Sequence, residues 1–338
     1  MAKKTILVTG GTGYIGSHTV VELQQKGFDT VIADDLSNSS PQTVERIERI
    51  TGIRPVFERI DLKDSESVRR LFDRYPIEAT IHFAASKAVN ESVRQPLDYY
   101  RNNLTSLINI LDNIRRLGGA MVFSSSCTVY GQPDRLPVRE TDPVKPAWSP
   151  YGNTKQICEE IIRDTIAAYP QVRAVLLRYF NPIGAHPSAL IGEQPQGVPQ
   201  NLMPYIVQTA AGIRKYLSVF GHDYSTPDGT CVRDYLHVVD LAKAHVKAVE
   251  RLLSRIAHDP CEVFNLGTGH GYSVLEVIRS FEKTTGIKLD YRLTGRREGD
   301  IEQIWADPSR AEQILGWKAE LSLDEMTLSA WRWQQAQT

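Results

Sequence analysis

Tyr151 and Lys155 stand four residues apart in the stretch Ser149-Pro150-Tyr151-Gly152-Asn153-Thr154-Lys155. Ser149 suits a helix N-cap and Pro150 the first helical position, so the stretch predicts a helix running from 151 to 169. Residues i and i+4 share a helix face, which sets a phenol beside an ammonium. Free tyrosine has a pKa of about 10 and is of no use as a base at neutral pH, but a neighbouring positive charge favours the phenolate. Ser124-Ser125-Ser126 follows the apolar run Ala120-Met121-Val122-Phe123. Ser126 lies furthest past that run, and its hydroxyl can hydrogen-bond the substrate oxygen whose proton the phenolate removes. Tyr-x-x-x-Lys arises by chance in chains of this size, so its meaning depends on what precedes it.

What precedes it is a glycine turn. The β-rich run Thr5–Thr9 enters Gly10-Gly11-Thr12-Gly13-Tyr14-Ile15-Gly16, and a helical pattern over 17–26 leaves it. The spacing reads both as G-x-G-x-x-G (Gly11, Gly13, Gly16) and as G-x-x-G-x-x-G (Gly10, Gly13, Gly16). Glycine is needed where the chain turns sharply, lets backbone N–H groups approach a pyrophosphate, and packs a helix closely on a sheet. The pyrophosphate then lies at the positive end of that helix. A second apolar run, 30–33, ends on Asp34 and Asp35, and Asp34 stands where an acid can hold an adenosine ribose 2′-hydroxyl. Two adjacent acids would repel a 2′-phosphate, which favours NAD over NADP.

The elements that must position these residues alternate strictly. A third strand over 55–60 ends at Asp61-Leu62, and Ser65 caps a helix over 66–75. A fourth strand covers 79–85, a fifth 120–123 and a sixth 172–177. Between the fourth and fifth runs a helical pattern, 98–117, with Leu104, Leu107, Ile108, Leu111 and Ile114 at three-to-four spacing, ended by Gly118-Gly119. Such alternation predicts an α/β fold with a doubly wound parallel sheet and its ligand crevice at the strand C-termini. The strand ends carry Gly10, Asp34, Asp61, Ala84-Ala85-Ser86-Lys87, Ser124–Ser126 and Tyr179-Phe180-Asn181, which points to one continuous site. Beyond Asn181 the chain is loop-rich to Gln200, then predicts a helix over 202–216, a strand over 217–220, a helix over 241–253, a strand over 262–266 and a helix from Ser273. The expected organisation is a dinucleotide-binding domain, 1–181, to which 236–266 returns, and a smaller C-terminal α/β cap, 182–338.

Bulk properties narrow the classes. The chain has 338 residues, 41% of them apolar and 23% charged, with a net charge of −1 and no basic block. Nucleic acid and anionic membrane surfaces are therefore not expected partners. Met1-Ala2-Lys3-Lys4 enters a strand directly, which leaves no room for a signal peptide, and no apolar run approaches the roughly 18 residues of a membrane span. Cys127, Cys158, Cys231 and Cys261 show no metal-ligand spacing and read as buried thiols in a reducing cytoplasm. No H-x-x-x-H or H-E-x-x-H occurs; His82 within an apolar strand and His18 at the start of the first helix read as structural, and no metal is expected.

Gly10-x-x-Gly13-x-x-Gly16, Ser124-Ser125-Ser126, Tyr151-x-x-x-Lys155 and Arg178-Tyr179-Phe180-Asn181-Pro182 together resemble the extended short-chain dehydrogenase/reductase superfamily. Gly184-Ala185-His186-Pro187-Ser188, Asn201-Leu202-Met203-Pro204, Asp228-Gly229-Thr230-x-Val232-Arg233-Asp234-Tyr235-x-His237-Val238 and Arg296-Arg297-Glu298-Gly299-Asp300 narrow the resemblance to the UDP-glucose 4-epimerase (UDP-galactose 4-epimerase) family. It runs nearly end to end. It implies a Rossmann-type sheet and a reaction in which Tyr151 takes the proton of the sugar 4-hydroxyl while hydride passes from C4 to NAD. Lys155 binds the nicotinamide ribose and keeps Tyr151 acidic, and Ser126 assists at O4. The 4-keto sugar then rotates, hydride returns to its opposite face, and NAD stays bound throughout.

The same resemblance implies NAD contacts at Gly10, Gly13, Tyr14, Ile15, Gly16, Asp34, Asp35, Asn38, Asp61, Leu62, Phe83, Ala84, Lys87, Asn102, Ser124, Tyr151, Lys155 and Tyr179. UDP-glucose or UDP-galactose would be held by Ser126, Tyr151, Phe180, Asn181, Asn201, Leu202, Phe220, Arg233, Arg297 and Asp300, the two guanidiniums suiting phosphate. The helices over 98–117 and 151–169 would form a four-helix homodimer interface. Three positions depart from the family pattern. Asp35 stands where Asn is usual, and Ala84-Ala85-Ser86-Lys87 replaces Ala-Gly-Leu-Lys. Ile304, at the position that gates N-acetyl sugars, is of intermediate bulk. Three alternatives are a 4-epimerase of UDP-N-acetylhexosamines or UDP-uronic acids, a 4,6-dehydratase, and a cofactor-sensing protein that lost catalysis. Ser126-Cys127-Thr128 lacks the acidic pair of dehydratases, and the retained Tyr151, Lys155 and Ser126 argue against the sensor.

Overall fold

Runs of β-branched and aliphatic residues that end on glycine, aspartate or serine build the central sheet. The computed structural model describes residues 3–256, 259–297 and 300–337, so Glu298 and Gly299 of the Arg296–Asp300 motif lie outside the described residues. Seven parallel strands form the sheet: β1 (Thr5–Thr9), β2 (Asp29–Asp34), β3 (Val56–Arg59), β4 (Ile77–His82), β5 (Gly119–Ser126), β6 (Val172–Tyr179) and β11 (Cys261–Leu266). Their order is β11-β6-β5-β4-β1-β2-β3, the Rossmann arrangement with one added edge strand. The order reverses between β1 and β4, and this is where the crevice opens.

Residues alternate between two cores because successive strand side chains face opposite ways. Ile6, Val8, Val122, Val175 and Leu177 pack against α1 (Tyr14–Gln25), α2 (Gln42–Thr51) and α8 (Val238–Ser254). Leu7, Met121, Phe123, Ala174 and Leu176 pack against α3 (Ser65–Arg74), α5 (Pro96–Leu117) and α6 (Pro150–Ala168). The α5 stripe buries Leu107, Ile110, Leu111 and Ile114, each stabilising the fold by roughly 2 kcal/mol. The strand β11, far along the chain, completes the sheet beside β6.

The remaining elements gather over the strand C-termini. They are α4 (Val89–Arg94), β7 (Asn181–Ile183), α7 (Leu202–Ala210), β8 (Leu217–Phe220), β9 (Val232–Arg233), β10 (Tyr235–His237), β12 (Tyr272–Ser273), α9 (Val274–Thr285), β13 (Tyr291–Thr294), β14 (Gln303–Ile304) and α10 (Leu323–Gln335). Short pairs join β7 to β10, β8 to β13, and β9 to β12 and β14. A separate core of Met203, Ile206, Val219, Phe281 and Met326 holds them together.

Several boundaries differ from the sequence expectation for local reasons. Helix α1 starts within the glycine turn, at Tyr14, with Gly13 as its N-cap. Asp64, not Ser65, caps α3, its side chain accepting from Glu66 N. Strand β5 extends through all three serines because β6 continues to pair with them. Helix α7 stops at Ala210, since Gly212 turns the chain with φ 73°. Helices α2, α4 and α10 are additional; α4 is too short for a periodic pattern, and α10 is marked only by the capping box of Ser322 and Glu325. Cys158 and Cys231 are buried, whereas Cys127 and Cys261 are half-exposed, at the cleft and at the outer strand of the sheet respectively. Among the described residues no helix is long and apolar enough to cross a membrane, and no group of His, Cys, Asp and Glu could hold a metal ion.

Candidate active site

A cleft of about 2530 Å³ runs along the strand C-termini, beneath the cap elements. At one end is the glycine turn. Gly10 has φ 69°, and a Cβ there would stand 2.9 Å from the Ala84 backbone nitrogen; a Cβ on Gly16 would overlap the Gly10 carbonyl oxygen. Helix α1 begins without a side-chain cap, so its first N–H groups remain available to an anion. Asp34, buried at the end of β2, accepts from Thr12 N at 3.2 Å, Leu36 N at 3.0 Å and Ser39 Oγ at 3.1 Å. Asp35 also lines the cleft and accepts from Ser37 N at 2.8 Å. A tight turn without side chains, an uncapped helix start and a fixed acid are what a dinucleotide requires, so the residues present fit one.

Tyr151 and Lys155 line the same cleft. Ser149 caps α6 as expected, accepting from Gly152 N at 3.1 Å, with Pro150 in the first turn. Lys155 Nζ donates to the Ser124 carbonyl oxygen at 2.6 Å and lies 5.9 Å from the Tyr151 ring centroid. Burial pushes Lys155 down to about 8, against the pull of Cys158 and Glu159. Burial likewise pushes the Tyr151 phenol up, Tyr179 adds to this, and a hydrogen bond with Ser126 opposes it. The ammonium is thus engaged by a strand carbonyl, and at the phenol burial outweighs the hydrogen bond with Ser126. Ser126 accepts from Thr128 N at 3.3 Å, and the Ser124 and Tyr179 hydroxyls are hydrogen-bonded to each other.

Of the other residues singled out from the sequence, the cleft is lined by Tyr14, Ile15, Asn38, Asp61, Leu62, Phe83, Ala84, Lys87 and Asn102 on the sheet side. Phe180, Asn181, Asn201, Arg233, Arg297, Asp300 and Ile304 line it towards the cap. Leu202 and Phe220 are not in its wall: Leu202 begins α7 and packs on the cap core, and Phe220 lies with its ring 5.6 Å from the Arg297 guanidinium carbon. Arg297 Nη2 donates to Asp300 at 2.7 Å, and Arg233 Nη1 donates to the Val232 carbonyl at 2.9 Å. Ile304 is buried opposite Arg233 across the β9–β14 pair.

Residues not anticipated from the sequence also meet there. Lys63 bridges Asp61 at 3.0 Å and Asn102 at 3.2 Å. Glu193 accepts from Asn201 Nδ2 at 2.7 Å and lies 3.5 Å from Lys87 Nζ. Its backbone carbonyl accepts from Trp333 Nε1 at 3.0 Å. Loop residues far apart in the chain carry no periodicity, so only the proximity of Lys63 to Asp61 could have signalled any of these.

The family model described as GDP-mannose 4,6 dehydratase matches residues 7–329. The UDP-glucose 4-epimerase of Homo sapiens is 50% identical over 341 residues, covering 99% of this chain and 97% of the human protein. That of Bacillus subtilis is 52% identical over 330 residues, covering 97% and 96%. The crystal structure of UDP-glucose 4-epimerase from Bifidobacterium longum in complex with NAD+ and UDP superposes with a TM-score of 0.94 at 48% identity, covering 98% of each chain. The family model spans dehydratases by its description, but the full-length relatives are epimerases, and Ser126 is followed by Cys127 and Thr128 without an acidic pair. With its glycine turn, Tyr151, Lys155 and Ser126 along one cleft, the chain belongs to the UDP-glucose 4-epimerases.

Proposed function

We propose that the protein interconverts UDP-galactose and UDP-glucose, inverting the sugar at C4 with a retained NAD. The observation that carries this reading is the convergence of Tyr151, Lys155 and Ser126 with the glycine turn on one side of the cleft and Arg233 and Arg297 on the other. NAD, when bound, supplies the hydride acceptor at C4 and a positive ring that favours the Tyr151 phenolate. Tyr151 receives the O4 proton and later returns it. Ser126 hydrogen-bonds O4 and orients it towards the phenol. Lys155, anchored on the Ser124 carbonyl, holds a positive charge beside the site and orients the ribose. The guanidiniums of Arg233 and Arg297 grip the diphosphate, while Asn181 and Asn201 hold the nucleotide and leave the sugar free to turn over.

In this reading residues 1–181, with 236–266, form the NAD-binding part and the remaining chain the UDP-sugar cap. Glycine turn, Asp34, Asp61 and Lys87 bind the cofactor. The wall formed by Ile304 sets which sugars enter. Leu97 and Ile108 are exposed on α5, which packs beside α6, and these helices form a homodimer interface. The protein works in the cytoplasm, where its cysteines stay reduced.

Purified protein given UDP-galactose without added cofactor is expected to form UDP-glucose, and denaturation is expected to release NAD. Turnover confined to the N-acetylated sugar nucleotides would shift the substrate class. Bound NAD with no epimerisation would overturn the reading.

A further inference from the structure

Behind the cleft wall, on the face of β5 opposite Ser124 and Ser126, lies a buried polar network that the chemistry above does not use. Glu159 and Arg178 are 4% and 3% exposed. Arg178 Nε and Nη2 donate to the two Glu159 carboxylate oxygens at 2.9 and 2.5 Å. Ser125 Oγ donates to Glu159 Oε1 at 2.6 Å, and Arg163 reaches Glu159 from the surface at 3.3 Å. Arg178 Nη1 donates to the Tyr130 hydroxyl at 3.0 Å, which donates in turn to Asn265 Oδ1 at 2.6 Å. Burial works against the Glu159 charge, but Arg178 overcomes it and holds the carboxyl below the usual range. Well-packed apolar residues of the same volume would serve stability as well as a buried ion pair does, so stability alone does not explain this one.

Its location does. Ser125 lies between Ser124, whose carbonyl anchors Lys155, and Ser126. Glu159 shares the buried stripe of α6 with Lys155, and Arg178 precedes Tyr179 on β6. We propose that Glu159 and Arg178 are positioning residues for the reaction, clamping the end of β5 to α6 and β6 and so setting the distance between Ser126 and the Tyr151–Lys155 face. The proposal rests on the epimerase reading of the cleft. A displacement of about 1 Å at reacting groups can cost on the order of a hundredfold in rate. The charged and titratable groups around Lys155 are Tyr151, Cys158 and Glu159 on its own helix and His82 on β4; Tyr179 on β6 acts on Tyr151. Glu159 is the carboxylate among them, so it also favours the charged lysine.

The test uses the enzyme with its retained cofactor, UDP-galactose as substrate and UDP as the calorimetric binding probe. Ser125→Ala cuts the link to β5 and keeps the ion pair; kcat is expected to fall about tenfold, with KM, UDP affinity and Tm nearly unchanged. Glu159→Gln is expected to lower kcat by about a hundredfold and to move the alkaline limb of kcat/KM to lower pH, because the uncompensated Arg178 charge favours neutral Lys155. Where that variant does not fold, Glu159→Leu/Arg178→Met removes both charges while filling the volume. Low kcat with parental Tm and UDP affinity supports the clamp. Parental kcat in Ser125→Ala or in the double variant overturns it, as does a loss of kcat matched by equal losses of UDP affinity and Tm. Absence of any sugar-nucleotide epimerisation in the parent would overturn the epimerase reading itself, and the clamp with it.

Discussion

Burial, with Tyr179 and Cys127 adding to it and a hydrogen bond with Ser126 opposing it, pushes the Tyr151 phenol above its ordinary value in the protein alone. Removing that hydroxyl leaves the packing and takes away the group to which the proposed reaction assigns proton exchange with O4. Tyr151→Phe is therefore expected to lower kcat by about a thousandfold with UDP affinity unchanged, read by steady-state kinetics and calorimetry. In the proposed reaction Lys155 sets the pH limit. Its pKa is depressed to about 8, so its charge is complete below that value and lost above it. The expected kcat/KM profile declines as pH rises through about 8, and a profile flat up to the ordinary lysine value of about 10.4 would contradict the assigned role. Between those two values the unfolded chain holds more protons than the folded one, so the penalty that burying this charge places on folding is relieved as pH rises.

Elements deliver these residues through their ends. Helix α6 brings the phenol and ammonium to the cleft because Ser149 and Pro150 set where it starts. Helix α3 shows how little separates a correct cap from a neighbouring one: Asp64 and Ser65 are both good cap residues, and the backbone puts Asp64 in the extended conformation, φ −83° and ψ 100°. Asp64→Ala is expected to lower the midpoint of denaturant unfolding, while Ser65→Ala leaves it nearly unchanged; denaturant titration distinguishes them. The strand and helix periods were legible in the sequence because burial on both sheet faces imposes them. The extent of β5 was not, since serines carry no apolar period and it is pairing with β6 that continues the strand.

At the scale of the whole molecule, one buried carboxylate ties the cap to the cleft. Asp234 accepts from Thr268 N at 2.8 Å, Thr268 Oγ1 at 2.7 Å, Gly269 N at 3.2 Å and Ala306 N at 3.2 Å. It thereby joins the strand carrying Arg233 to the turn after β11 and to the segment after Ile304. Asp234→Ala leaves those donors buried without a partner, and the expected cost is about 3 kcal/mol or more. A lowered Tm together with a raised KM for UDP-galactose is expected; a raised KM with an unchanged Tm would place Asp234 in direct contact with substrate instead. Asp234 was visible in the sequence only as part of a motif, because its donors come from two segments far from it in the chain, the turn at Thr268–Gly269 and Ala306.

By itself the sequence determined the alternating fold, the glycine turn with Asp34, and the Tyr151–Lys155 face. Each of these follows from local rules: a backbone that needs glycine, a helical repeat, and a cap that starts the helix. Tertiary structure alone decided that Lys155 rests on the Ser124 carbonyl, that Glu159 and Arg178 pair behind the serines, and that Glu193 meets both Lys87 and Asn201. Those contacts join residues from separate strands, helices and loops. Their partners are chosen by how the sheet orders its strands and where the cap settles, and no local spacing encodes that choice.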